Sequence, residues 1–559
     1  MKTINKIAIT FSGLTLISSS IFAQSIADAK KALEAEQYQK AETMLKNLTQ
    51  TQATNAENYF YLGWLYLKKE YPDSAKATFT KGISVNAKSA LNYAGLGAVD
   101  RLDKNAASAK SNFDKAIAAT DKKDTEPYVY IGKAYLLDPN PDPNAAIQVL
   151  QRGVAANPKD KNPELYATIG DAYRSQLKNT QAYDNYTQAL AINPKMVSAV
   201  VATGVIWKQA NNYEDSEKEY RRALTIDPTY GPAYRELAEL YLRWGKNSAD
   251  APAKYKQAVD FYKKYLDLTD RSLDSRMRYA QFLVYAEDYK ALEQEANEIA
   301  KIAPKNNLIV YRYLGYSAYE NKNYPAGLEA LNKFISQADQ KRIIPYDYLY
   351  LGRLQLSSNQ DSLGIQSLQK AVAMDSTLSD AYAEIGKAYY GSKKYALAGD
   401  AYGKYIKTSH SATLNDYFTM GRSYYFAYGN APKGTKPDTS LLAKADSAFS
   451  YTSQKSAKPV PAVLVYQARV KDLEETDRNM IKGLAKPYYE KLIGAVDSSG
   501  TAPADQDKRF LAEAYSYLGT YYAYAAKDDA KATENFNKAL QNDPADRQAK
   551  TYLDRKKTK

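Results

Sequence analysis

Residues 165–194 read LYATIGDAYRSQLKNTQAYDNYTQALAINP, and residues 199–228 read AVVATGVIWKQANNYEDSEKEYRRALTIDP. The two stretches align without a gap. Ile169, Gly170, Tyr173, Ala182, Tyr186, Ala189 and Pro194 fall opposite Thr203, Gly204, Trp207, Ser216, Tyr220, Ala223 and Pro228. Each stretch carries two runs with apolar residues at i, i+3, i+4 and i+7, the spacing of amphipathic helices. A small residue where two helices cross lets their backbones approach, and aromatics on either side fill the groove. Asn193-Pro194 and Asp227-Pro228 stop the second helix, because the residue before proline is pushed out of helical geometry.

The unit recurs along the chain at thirty-four or thirty-five residues in most copies. Its first-helix small residue returns as Gly63, Gly97, Gly132, Gly170, Gly204, Ala238 and Ala280, then as Gly315, Gly352, Gly386, Gly421, Ala468 and Gly519. The second-helix partner, usually twelve positions later, is mostly alanine, as at Ala75, Ala109, Ala146, Ala258, Ala398 and Ala532. A weaker unit precedes these, marked by Ala29, Tyr38, Ala41 and Leu45. An apolar face repeated at this period is covered only by its neighbours, so the units stack as a solenoid.

These residues and this period resemble the tetratricopeptide repeat, from about Ser25 to the C-terminus. The resemblance implies an all-α fold, an α-solenoid wound as a right-handed superhelix of about fourteen helix-turn-helix units. The expected organisation is a signal peptide at 1–23, a degenerate repeat at 24–55 and a regular array at 56–424. Divergent repeats with long inserted turns follow at 425–510, and the last repeat with a polar capping helix at 511–559. Inserted turns are expected at Gly245–Ala253, from Gly429 to Gly434, and around Glu474-Glu475-Thr476-Asp477.

The N-terminus carries Lys2 and Lys6, an apolar stretch from Ile7 to Ile17, and Ser18–Ala23 before Gln24. This is the pattern of an export signal cleaved after Ala23, too short and too rich in Thr, Ser and Gly to span a membrane. The expected location is the periplasm or cell envelope, with no membrane span in the mature chain.

Composition narrows the chemistry. The chain has no cysteine and one histidine, His410, which removes disulfides, thiolate chemistry and His-ligated metal sites from consideration. Asp138-Pro139-Asn140-Pro141-Asp142-Pro143-Asn144 alternates oxygen ligands as a calcium loop does, but has Pro143 where such a loop needs glycine and Val149 where it needs glutamate. It reads as a stiff connector. No phosphate-binding loop is present, and the repeats leave no room for a catalytic domain. The expectation is a non-enzymatic scaffold without cofactor or metal. Net charge is +13, which favours anionic partners, but the cations are interspersed with acids, which does not favour nucleic acid.

There are 52 tyrosines against 13 phenylalanines. Tyr59, Tyr93, Tyr128, Tyr166, Tyr234, Tyr311, Tyr348, Tyr382, Tyr417 and Tyr515 recur in one column, expected to be buried packing. By resemblance to the family, ligands lie along the first helix of each repeat. The position after the Gly column there reads Trp64, Ala98, Lys133, Asp171, Val205, Glu239, Gln281 and Tyr316, then Arg353, Lys387, Arg422 and Arg469, then Thr520. Tyr130, Tyr350 and Tyr466 stand three residues before Lys133, Arg353 and Arg469. Arginine beside tyrosine suits a carboxylate or phosphate with an apolar neighbour. The candidate groove is therefore Trp64, Lys133, Tyr316, Tyr350, Arg353, Lys387, Arg422, Tyr466 and Arg469, binding an extended or acidic protein segment. An anionic cell-envelope glycan is the alternative, and a solvated cationic face, with Glu384 pairing to Lys387, competes with both. Family members that clamp a C-terminal carboxylate use Lys and Asn at set positions; no Asn stands in this column.

Overall fold

The computed structural model describes residues 25–557, apart from 122, 138, 160, 305, 433, 478–480 and 499. The export signal expected at 1–23 lies outside the described residues. Among those residues there are 29 α-helices and no strand. They fall into two compact units, 1–303 and 304–559.

In the N-terminal unit the helix pairs are Ile26–Glu34 with Tyr38–Thr51 (α1, α2), Ala56–Lys68 with Pro72–Val85 (α3, α4), Ala90–Leu102 with Ala106–Ala119 (α5, α6) and Glu126–Tyr135 with Pro143–Ala156 (α7, α8). They continue as Pro163–Ser175 with Asn179–Ile192 (α9, α10), Val197–Gln209 with Tyr213–Ile226 (α11, α12), Gly231–Gly245 with Ala251–Leu268 (α13, α14) and Leu273–Tyr285 with Tyr289–Ile302 (α15, α16). The C-terminal unit has Ile309–Glu320 with Tyr324–Gln337 (α17, α18), Pro345–Ser357 with Asp361–Met374 (α19, α20) and Ala381–Gly391 with Tyr395–Thr408 (α21, α22). It ends with Leu414–Gly429 and Ser440–Lys455 (α23, α24), Pro461–Glu474 and Lys486–Asp497 (α25, α26), Asp505–Thr520 and Asp529–Asn542 (α27, α28), and the single helix Arg547–Lys557 (α29).

The small-residue columns do what their chemistry requires. A Cβ on Gly170 would stand 2.5 Å from the ring of Tyr186, which is itself fully buried. Phe79 is wedged in the same way against both Gly63 and Gly95. Pair packs on pair through such contacts, and one continuous core runs from Ala29 to Ala172.

Two sequence expectations change, and one feature is new. The segment after Gly245 is only partly turn, since α14 begins at Ala251 and runs 18 residues. The tyrosine column is half-buried, with only Tyr59 and Tyr348 below a tenth exposed. Its hydroxyls reach the surface: Tyr59 donates to the carbonyls of Thr49 and Ala53, both at 3.2 Å, and Tyr348 accepts from Lys370 at 2.6 Å. That is why tyrosine, not phenylalanine, fills these positions. The turns within pairs hold non-glycine residues in the left-handed region, including Glu36, Glu70, Leu177 and Asn359 at φ 60°, 62°, 59° and 58°.

Candidate partner-binding groove

At three of the positions after a small residue a cation meets an acid on a neighbouring first helix. Arg353 donates from Nε and Nη2 to Glu384 at 3.0 and 2.7 Å. Arg469 grips Glu513 in the same forked way at 2.9 and 2.7 Å. Lys133 bonds Glu164 at 2.9 Å, and burial, which opposes its charge, is outweighed by Glu164, so Lys133 is held firmly protonated. From other first-helix positions, Lys208 with Glu236 at 2.5 Å and Arg312 with the fully buried Asp347 at 2.7 Å add pairs of the same kind. Within each compact unit the result is a ladder of ion pairs between adjacent repeats, charge-compensated along most of its length. Glu384, expected beside Lys387, is taken instead by Arg353 of the preceding unit.

The ladder is interrupted once in the cationic run. Among the described residues, Lys387 is exposed without an ion-pair partner, and Arg422, one unit on, also meets no carboxylate. The Arg422 guanidinium stands 5.6–5.8 Å from the ring centres of Tyr390, Phe418, Phe426 and Tyr466. Nη2 donates to the Tyr390 hydroxyl at 3.0 Å, while the buried Nε has no hydrogen-bond partner among the described residues. An arginine held by ring faces but lacking an anion is poised to accept one.

Other predicted groove residues turn inward. Trp64, Tyr316 and Tyr350 are 3%, 3% and 5% exposed. Trp64 packs edge-on against Tyr130 at 4.9 Å, and Tyr316 stacks on Tyr350 at 4.2 Å while its hydroxyl bonds Asp347 at 2.8 Å. They offer little surface to a ligand. Tyr466 is half-buried beside Arg422 and Arg469.

Past Arg469 lies a cavity of about 620 Å³ lined by Tyr425, Arg469, Asp472, Tyr489, Arg509, Glu513, Tyr517, Tyr521, Asp543 and Asp546. Its two arginines face four carboxylates, so the positive character of the run fades there. Next to it, residues Tyr521–Ala525 form a π-helical turn.

Two family profiles described as tetratricopeptide repeat match the chain, at residues 56–89 and 168–231, where the helix pairs and small-residue columns are most regular. The chain carries tetratricopeptide repeats. The tetratricopeptide array is similar over 131 residues, at 28% identity, to human Superkiller complex protein 3, covering 23% of this chain and 8% of that protein. Over 169 residues it is 21% identical to anaphase-promoting complex subunit 3 of Schizosaccharomyces pombe, covering 26% and 25%. The matched segments thus span a quarter or less of these curated relatives. Among solved structures, the C-terminal part of a TPR repeat-containing protein from Cytophaga hutchinsonii is 27% identical, covering 49% of this chain and 97% of that one, with a TM-score of 0.37.

In the N-terminal unit the tetratricopeptide array returns on itself. Glu36 accepts both Arg235 Nη1 contacts at 2.6 and 2.7 Å and the Tyr265 hydroxyl at 2.9 Å. Gln37 donates to the Thr229 carbonyl at 3.1 Å, Asp270 accepts from the Gln39 amide at 2.8 Å, and Lys31 meets Asp227 at 3.1 Å. The first helix pair therefore touches the seventh. Nothing in the periodicity signals these contacts, because they join residues about two hundred apart. Among the described residues there is no group of three or more metal-ligating side chains, and no helix is long and apolar enough to cross a membrane. His410 lies exposed in a turn.

Proposed function

We propose that this tetratricopeptide protein is a non-catalytic scaffold of the cell envelope that takes an acidic segment of a protein partner on the inner helices α21 and α23. The observation that carries the proposal is the break in the ion-pair ladder at Lys387 and Arg422. Every other cation of the run already has its acid, so an incoming carboxylate gains most at these two, and Tyr390, Phe418 and Tyr466 supply apolar surface beside it. Repeat arrays present long surfaces on which many weak contacts add. The names of two relatives, components of a Superkiller and an anaphase-promoting complex, fit a role in assemblies. The export pattern at 1–23 supports placement outside the cytoplasm.

The test is fluorescence anisotropy with a labelled Glu/Tyr-rich peptide, its Gln/Tyr counterpart and an oligouronate, each titrated into the native chain and Lys387→Gln/Arg422→Gln. The expected result is binding of the acidic peptide alone, weakened at least tenfold in the variant and by raised salt. Equal binding of the peptide to both chains sinks the site. Preference for the oligouronate sinks the partner class.

A further inference from the structure

The contacts that return α1 and α2 to the seventh helix pair are of a particular kind. α1 has nine residues, fully buries only Ala29 and Ala32, and lays Ile26 and Leu33 half-buried against the core, so a modest apolar area holds it down. Charge adds the rest: Lys30 with Glu126 at 2.7 Å, Lys31 with Asp227, and Glu36, in the turn that follows, with Arg235. Lys31 keeps 66% of its side chain in solvent, where such pairs are weak and screened by salt.

The fit beneath it is loose. A half-open cleft of about 470 Å³ is lined by Lys30 and Glu34 on one side and Tyr130, Lys133 and Glu164 on the other. Another of about 200 Å³ lies among Leu33, Glu36, Trp64 and Tyr130. Behind α1 stands an aromatic cluster, with Tyr130 centred 4.6 Å from Phe60 and 4.9 Å from Trp64. A short helix on salt-sensitive ties, flanked by clefts and above buried rings, has the form of a ligand bound in cis.

We propose that α1 is a releasable clasp, and that the inner face it covers, centred on Trp64 and Tyr130, is a docking surface for an amphipathic helix with α1's own pattern. That pattern is small residues at the contact face, a basic pair at Lys30 and Lys31, and an acid at Glu36. The surface is distinct from Lys387 and Arg422, so either proposal stands or falls without the other.

The probe is a labelled peptide of residues 25–37, added to the full chain and to Lys31→Glu/Glu36→Lys, which opposes like charges at Asp227 and Arg235. Trp64 is the reporter, in a Trp207→Phe/Trp244→Phe background, with helicity checked by circular dichroism. In the charge-reversed chain Trp64 emission shifts to the red, the peptide binds at least tenfold more tightly than to the native chain, and binding moves the emission back. Release of α1 without tighter peptide binding overturns the docking surface. A second measurement needs no variant: amide exchange of α1 in the native chain, at 0.05 and 1 M salt. Exchange at least tenfold faster at high salt in α1, with α9 and α10 unchanged, is expected. Unchanged α1 exchange, or equal acceleration throughout, overturns the clasp.

Discussion

Replacing Asp347 by alanine removes the most deeply buried acid of the ladder. Asp347 is 0% exposed. It accepts from Arg312 Nε at 2.7 Å and Nη2 at 2.8 Å, from the Tyr316 hydroxyl at 2.8 Å, and from the Ile344 amide at 2.8 Å. The substitution leaves a guanidinium whose side chain is 12% exposed without its counter-ion, with only the Arg342 carbonyl at 2.6 Å as acceptor, and a phenol and an amide with none. Breaking a buried pair from one side costs about 3–5 kcal/mol. In a solenoid, stability is close to a sum over units and their interfaces, so the loss concentrates in α17 to α20. Hydrogen exchange read by mass spectrometry on peptides from these helices is the assay. At about 1.4 kcal/mol per tenfold, protection there should fall by roughly a hundredfold to a few thousandfold. α27 and α28 should keep theirs. Arg312→Leu/Asp347→Leu, which removes both charges and keeps apolar volume, should recover most of the protection. A single variant losing less than about tenfold, or a double variant as poor as the single, would refute the argument that the unpaired guanidinium carries the cost.

Other outcomes follow from individual residues. Gly170→Ala places a methyl 2.5 Å from the buried Tyr186 ring and should cost about 1–3 kcal/mol, read as a lower urea midpoint. Leu177 is 78% exposed and sits at φ 59°; Leu177→Asn, better suited to that region, should raise stability by roughly 0.5 kcal/mol or more, seen as a higher midpoint at unchanged slope. The Glu34 side chain is exposed, yet the protein mass around it and then Glu164 raise its carboxyl, so its charged form is mildly disfavoured in the fold. Glu34→Gln should therefore stabilise at pH 7, and the advantage should vanish as pH falls below the ordinary carboxylate range, where the native side chain is protonated in both states. Thermal midpoints at pH 7 and pH 4 check this; equal midpoints at pH 7 refute it.

The repeat architecture is legible in the chain because its determinants are local. Gly170, Tyr173, Ala182 and Tyr186 lie within seventeen residues, and the crossing they form repeats. Burial along the first helices was harder to read. Trp64 and Tyr316 share a column with Arg353, yet the structure turns them inward, because the inner helices pack on one another as well as on their own second helices. The pairing of Arg353 with Glu384 could have been found by comparing each column with the next unit. The contact of Glu36 with Arg235 could not, since it depends on how small rotations between units accumulate over six repeats, and no pattern of residue types encodes that sum. The non-glycine left-handed turns were also hidden, because glutamate, lysine and leucine there carry no turn signature.

The closure in the N-terminal unit has a mechanical consequence. A stack of helix pairs joined only to its neighbours is a spring, and lengthens under tension by small angular changes at every interface. Tying Glu36 to Arg235 and Lys31 to Asp227 makes a hoop of the turns between. Pulling on that unit must first break both of these ion pairs and the hydrogen bonds of Gln37 and Gln39, so it is inextensible up to a threshold and compliant beyond it. In the C-terminal unit, the ion pairs of Arg353 and Arg469 join adjacent repeats, which leaves the pitch free to change. One polypeptide thus combines a stiff segment with an elastic one, and ionic strength sets where stiffness gives way.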